Sequence, residues 1–204
     1  MDLSTLALHD PELGEPTWEI AHLFPNQGTW NEEEYLALDT NHIVEFTDGY
    51  LEVLPMPTTS HQLIVVFLFE ALKAFVSKQN LGLVLIAPLK IRIRRNKYRE
   101  PDVLFVTREH DSLIGEQFWL GADLVMEVVS PDNPERDWEK KRADYAEAGI
   151  SEYWIADPQR GTITVFSLND GHYVVHGEFA RGSRAASQLL PGFEVDVTAA
   201  LAPR

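Results

Sequence analysis

The stretch DLVMEVVSPD, residues 123–132, decides the fold. Leu124, Val125, Met126, Val128 and Val129 are apolar on both alternating faces, so the segment reads as a strand covered on both sides. Glu127 stands in the middle of it. An unpaired carboxylate there costs several kcal/mol or takes up a proton. The strand therefore demands a partner for Glu127 from elsewhere in the chain.

Working outward, Asn133-Pro134 is a cap followed by a first-turn proline, and Gly149 is a C′ glycine. They bracket a helix of roughly 134–148. EYWIADP (152–158) is the next strand, and a strand–helix–strand run implies a parallel crossover. Upstream, strands are expected at about 83–87, 89–95 and 103–106. HIVEFTDGYLEVLP (42–55) reads as a hairpin around Asp48-Gly49. Ser60 caps a long helix reaching about Lys78, with Leu63, Phe67, Ala71, Leu72 and Phe75 on one face. NEEEYLAL (31–38) starts a short helix, and TITVFSL with HYVVHGEF forms a last hairpin around Asn169-Asp170-Gly171. The class is α/β, a mixed β-sheet flanked by helices. Residues 1–28 read as an acidic extension with Trp18, Leu23 and Phe24 as anchors, and 29–204 as one domain.

Composition narrows the chemistry. The 204 residues are 45% hydrophobic, enough for a sizeable core, and the absence of cysteine excludes disulfides and thiolate metal sites. The N-terminus has no signal-peptide pattern, and LIVVFLFEAL (63–72) is too short to span a bilayer and holds Glu70. No membrane partner and a cytoplasmic location are the expectations. The net charge of −15 argues against nucleic acid, but its distribution does not. No Lys or Arg precedes Lys73, whereas LKIRIRRNKYR (89–99) carries six bases and no acid. That run is either an edge strand protected by charge or a phosphate-binding patch using Lys90, Arg92 and Arg94.

Two features can answer Glu127. REPDVLFV (99–106) leaves Asp102 at the mouth of an apolar strand, so pairing beside 123–129 makes the two carboxylates converge. They repel unless they share a proton or a cation, and hard oxygen ligands favour Mg²⁺ or Mn²⁺. On the 134–148 helix, Trp138, Lys141, Arg142 and Tyr145 follow helical spacing, with Trp138 and Tyr145 toward the sheet. Lys141 either snorkels to pair with Asp137 or carries its ammonium to the carboxylates.

The blocks VEFTDGYLEVLPMPTTSHQ, EPDVLFV, DLVMEVVSPD and RDWEKKRADYAEAGISEYWIADP together resemble the Uma-type restriction-endonuclease family of the PD-(D/E)XK nuclease superfamily, over about residues 30–200. The superfamily places a lysine two residues after the acid, where this chain has Val129; in Uma-type sequences it has moved to the next helix, matching Lys141. The resemblance implies a restriction-endonuclease-like core and a metal-dependent endonuclease cutting DNA. It implies Mg²⁺ or Mn²⁺ held by Asp102, Glu127 and the Val128 carbonyl, with Lys141 on the attacking water or the phosphate. It makes Glu45 an extra carboxylate, against an exposed hairpin residue. It makes His61 a contact to phosphate or Glu45, against a surface group. A homodimer is implied by the resemblance alone. The alternatives are a catalytically silent binding protein on the same fold and a hydrolase of another phosphodiester.

Overall fold

The structure is a computed structural model that describes residues 27–40 and 42–202; Trp18, Leu23 and Phe24 lie outside the described residues. Gln27 ties the chain to a hairpin, its side-chain amide bonding the Leu51 backbone in both directions at 2.7 and 2.8 Å. Helix α1 (Glu32–Leu36) begins at a capping box between Asn31 and Glu34. Strands β1 (Val44–Thr47) and β2 (Tyr50–Val53) turn at Asp48-Gly49, whose φ values of 48° and 88° are the left-handed pair of a tight hairpin. A Cβ on Gly49 would sit 2.8 Å from the Gly28 backbone, so glycine is required there on two counts.

Helix α2 (Thr59–Gln79) is capped by Thr58 and not by Ser60: the Thr58 hydroxyl accepts from the His61 N–H at 3.2 Å. Its buried face is Ile64, Val65, Leu68, Leu72 and Val76, while the expected Leu63 is 41% exposed. The helix is apolar around much of its circumference, so periodicity left the face ambiguous and packing chose it. The run at 63–72 belongs to a 21-residue helix that is long and apolar enough to cross a bilayer by length and composition. Here its buried face packs into a protein core.

Strands β3 (Gly82–Ile86), β4 (Lys90–Arg94), β5 (Lys97–Arg99), β6 (Val103–Thr107), β7 (Phe118–Trp119) and β8 (Leu124–Val128) follow. The basic run at 89–99 is thus a hairpin, not a strand: Arg95-Asn96 turns the chain, with Asn96 at φ 61°. After α3 (Arg142–Glu147) come β9 (Glu152–Asp157), β10 (Thr162–Asn169), β11 (His172–Ala180), β12 (Arg184–Ala186), β13 (Glu194–Asp196) and α4 (Val197–Leu201). One sheet has the order β11-β10-β9-β8-β6-β3, parallel only between β8 and β9. The other has the order β2-β1-β5-β4-β7.

The larger sheet is covered on both faces, as the apolar strand required. On one face α2 packs over Val103, Phe105, Leu124, Met126 and Trp154. On the other, Ile91, Ile93 and Tyr145 pack over Leu104, Val106, Val125, Val129 and Tyr153. Strand alternation gives Glu127 to this second face, with Val125 and Val129. A third cluster, around Tyr35, Phe46 and Tyr98, lies between α1 and the smaller sheet.

Candidate active site

Strand register brings the first two carboxylates together. Strands β6 and β8 pair antiparallel with Val103 opposite Met126, so one further step sets Asp102 across from Glu127. Asp102 Oδ2 accepts the Val128 N–H at 2.8 Å, which fixes this carboxylate at the strand ends. Glu127 is 2% exposed.

The partner of Glu127 comes from the following helix, on the inward side that helical spacing predicts for Lys141. The helix starts at Pro134, but Arg136–Lys141 forms a π-helical turn before α3 continues. Such turns insert a residue into the helical ladder and recur at functional sites. Here Asp137 and Lys141 face inward together, while Arg142 is exposed with its guanidinium over the Phe166 ring. Lys141 Nζ lies 2.8 Å from Glu127 Oε1, 3.6 Å from Asp137 Oδ1 and 3.8 Å from Glu45 Oε1. Lys141 does not snorkel: it is buried with its ammonium on the carboxylates, and it meets Asp137 inside the site because Asp137 is itself buried there. The Tyr145 hydroxyl also donates to Glu127 Oε1.

Two elements close the site from the sides. His61, in the first turn of α2, has Nε2 3.0 Å from the Val128 carbonyl oxygen and 3.4 Å from Asp102 Oδ2. It meets the strand ends and not Glu45. Glu45, on β1, is buried at 1% exposure and is held from behind by Arg99, whose Nε is 3.5 Å from Glu45 Oε2. Arg99 also donates to Asp144 at 2.7 Å and to the Phe46 and Tyr98 carbonyls. Glu100, immediately after β5, lines the same cavity.

Burial and charge set the protonation states. Burial and the neighbouring Asp102 and Asp137 carboxylates push Glu127 well up, against the pull of Lys141. Burial also raises Asp137, and it lifts Glu100 to about 7. Burial works to raise Asp102 too, but His61, Lys141 and the Val128 N–H together outweigh it and hold this acid low. Burial alone would favour neutral Lys141; Glu127, Glu45, Asp137 and Asp102 reverse that and keep it an ammonium.

The cavity lined by His61, Glu100, Asp102, Glu127, Asp137 and Lys141 has a volume of about 70 Å³, room for a few waters or a small hydrated ion. Its donors fit Mg²⁺ or Mn²⁺. Glu127 Oε1 takes both protein donors, and among the described residues no donor reaches Oε2. Asp102 and the Val128 carbonyl add hard oxygens, and carboxylates outnumber bases around the cavity. Among the described residues no three His, Asp or Glu side chains form a ready ligand set. A cation here would take two carboxylates, a carbonyl and waters, which is a common habit of Mg²⁺.

Lys90, Arg92 and Arg94 are not among the cavity-lining residues. The base of their hairpin reaches it through Ala87 and Glu100, but the side chains are engaged elsewhere. Lys90 Nζ lies 4.9 Å from the Tyr35 ring centre, and the Arg92 guanidinium 5.7 Å from that of Phe118. Arg94 forks onto Asp48 at 2.7 Å and reaches Glu147 at 2.8 Å. Sequence reasoning also missed Asp137, Tyr145 and Glu100 as site residues. Tyr145 had a signal, four residues after Lys141 on one helix face; Glu100 had another, two residues before Asp102 and so on the same side of an extended chain.

The Uma2 family model, described as "Putative restriction endonuclease", matches residues 32–198. Among solved structures, a "putative nuclease belonging to DUF820" from Anabaena variabilis superposes with a TM-score of 0.71, covering 85% of this chain and 99% of its own at 18% identity. That likeness is one of fold, and it bears out the mixed α/β class. No curated protein matches the chain. With its match running from α1 to the start of α4, the chain belongs to the Uma2 family.

Proposed function

We propose that the protein is a metal-dependent endonuclease that hydrolyses phosphodiester bonds of DNA, with Asp102, Glu127 and Lys141 as its catalytic set. The observation that carries the reading is the ammonium of Lys141 2.8 Å from Glu127, in a cavity shared with Asp102. Membership of a family described as restriction endonucleases supports it. Asp102, Glu127 and the Val128 carbonyl would hold Mg²⁺ or Mn²⁺. Bound there, the ion supplies Lewis acidity and makes water a stronger acid. Lys141, kept charged by its four carboxylate neighbours, orients water or neutralises charge building on the phosphate. Glu45 adds a carboxylate within reach of Lys141, and His61 holds Asp102 or meets a phosphate.

Lys90 and Arg92 supply contacts to backbone phosphates. Arg94 does so only by leaving Asp48 and Glu147. A homodimer would present two such sites, one for each strand of a duplex. We take 29–204 as one domain, with 1–28 as an acidic extension, and the cytoplasm as the place of action.

The test is cleavage of supercoiled plasmid with Mg²⁺, Mn²⁺ or EDTA. Nicking or linearisation with either metal, abolished by EDTA and by Glu127→Gln, is expected. A second reading, a nuclease fold that binds without cutting, draws on His61, which already engages the Val128 carbonyl and flanks Asp102. DNA retention on a gel with no cleavage at any metal concentration would favour it and overturn the first.

A further inference from the structure

Glu127 has two protein partners, and they are unequal. Lys141 is shared: its Nζ lies 2.8 Å from Glu127, 3.6 Å from Asp137 and 3.8 Å from Glu45. An ammonium is a compact charge with rotatable donors on a flexible stem, so it can satisfy any of the three and by itself fixes none. Among the described residues the Tyr145 hydroxyl has one acceptor, Glu127 Oε1. Its ring is fully buried and packs edge-on to Tyr153 with centroids 5.1 Å apart, so the hydroxyl has little freedom to move. Both donors converge on Oε1, and among the described residues none reaches Oε2.

We propose that Tyr145 is the positioning residue of the site: its hydroxyl pins Oε1 of Glu127 toward the helix and so aims Oε2 into the cavity for a divalent cation. The inference rests on the cation-binding part of the function proposed above. Outer-shell hydrogen bonds of this kind orient a ligand and raise its affinity for metal, and losing one costs about 10–100-fold in binding. The competing role is merely structural, a buried hydroxyl that needs an acceptor. Tyr153 offers the matched control: it is equally buried, and its hydroxyl donates at 3.0 Å to the Asp137 carbonyl, not to Glu127.

The experiment is Mn²⁺ binding to the nucleic-acid-free protein, followed by electron paramagnetic resonance, for wild type, Tyr145→Phe and Tyr153→Phe, with thermal unfolding measured alongside. The expected result is Mn²⁺ affinity weakened about tenfold or more in Tyr145→Phe. Tyr153→Phe should keep wild-type affinity, whatever either substitution does to unfolding. In cleavage, Tyr145→Phe should raise the half-saturating Mg²⁺ concentration by a similar factor while kcat at saturating metal stays within a few-fold. Equal Mn²⁺ affinity in wild type and Tyr145→Phe, or equal weakening in both variants, overturns the inference and leaves the nuclease reading standing. No Mn²⁺ binding by the wild-type protein overturns both. If Tyr145→Phe does not fold, 3-fluorotyrosine at position 145 keeps the hydroxyl and reports on it. Its ¹⁹F resonance should shift on addition of Mg²⁺, and an unmoved resonance overturns the inference.

Discussion

Two clusters of charge lie on either side of the helix that follows β8, and they are built to different plans. On the outer side, Arg94, Lys97 and Arg99 of the basic hairpin meet Asp48, Asp144 and Glu147, three bases against three acids, each base reaching an acid of α3. On the inner side, Glu45, Glu100, Asp102, Glu127 and Asp137 surround Lys141, and the nearby Arg136 is already bonded to Glu52. The outer cluster balances its own charges, reaches the inner one through Arg99, and fastens the hairpin to the helix. The inner one holds more acids than bases, and burial raises Glu127, Asp137 and Glu100, so a cation there would displace protons. Half of the basic run thus serves as a clamp, and a single buried lysine marks the candidate site.

The comparison breaks most sharply at Arg99, which touches both clusters. Arg99→Met leaves Asp144 and Glu45 as buried acids without their guanidinium, a loss of about 3–5 kcal/mol. Urea unfolding should register it. A loss below about 1 kcal/mol would mean the outer cluster is not holding the fold.

Lys141→Met tests the inner cluster. Cleavage should fall at least a hundredfold, about 2.7 kcal/mol of transition-state stabilisation, with circular dichroism confirming the fold. Lys140→Met is the control, since Lys140 is half exposed and bonds Glu52 outside the site. Similar cleavage by the two variants would remove Lys141 from the mechanism.

Glu100 sharpens the account of the cavity through pH. Burial raises it from 4.5 to about 7, so between those values the folded state holds a proton that the unfolded state has lost. The folded state binds more protons in that window, so stability falls as pH rises through it. From about pH 5 to about pH 7 the metal-free protein should lose about 2 kcal/mol from this group, a slope that Glu100→Gln flattens. Urea midpoints across that range check it, and an unchanged slope in the variant refutes it.

The smallest effect belongs to the hairpin surface. Arg94→Gln should cost about 0.5–1 kcal/mol of stability, as exposed ion pairs do. Arg92→Gln, whose guanidinium has no carboxylate partner among the described residues, should leave stability nearly unchanged and reduce the salt dependence of DNA binding by about one counterion. Filter binding across a salt series separates the two. Equal salt slopes in wild type and Arg92→Gln would remove the hairpin from the DNA interface.

What sequence determined by itself was local and periodic. The doubly apolar strand, the Asp48-Gly49 turn, the glycine ending the helix and the crossover to β9 follow from side-chain period and turn chemistry, which act within a few residues. Because Glu127 sits in an apolar strand, its need for a partner could be read before any partner was known, and Lys141 stood out as a charge on an inward face. Tertiary structure decided the rest. The helix opens with a π-helical turn that the sequence pattern does not announce, Asp137 is buried beside the carboxylates, and Arg142 lies exposed. Packing selected the Ile64–Leu68–Leu72 face of a helix apolar nearly all round. Long-range pairing settled which acid each hairpin base would meet and set Tyr145 on Glu127 and His61 on the Val128 carbonyl. The physical reason is that hydrophobic period specifies which face is buried, whereas a hydrogen bond or ion pair depends on the position of atoms contributed by segments far apart in the chain.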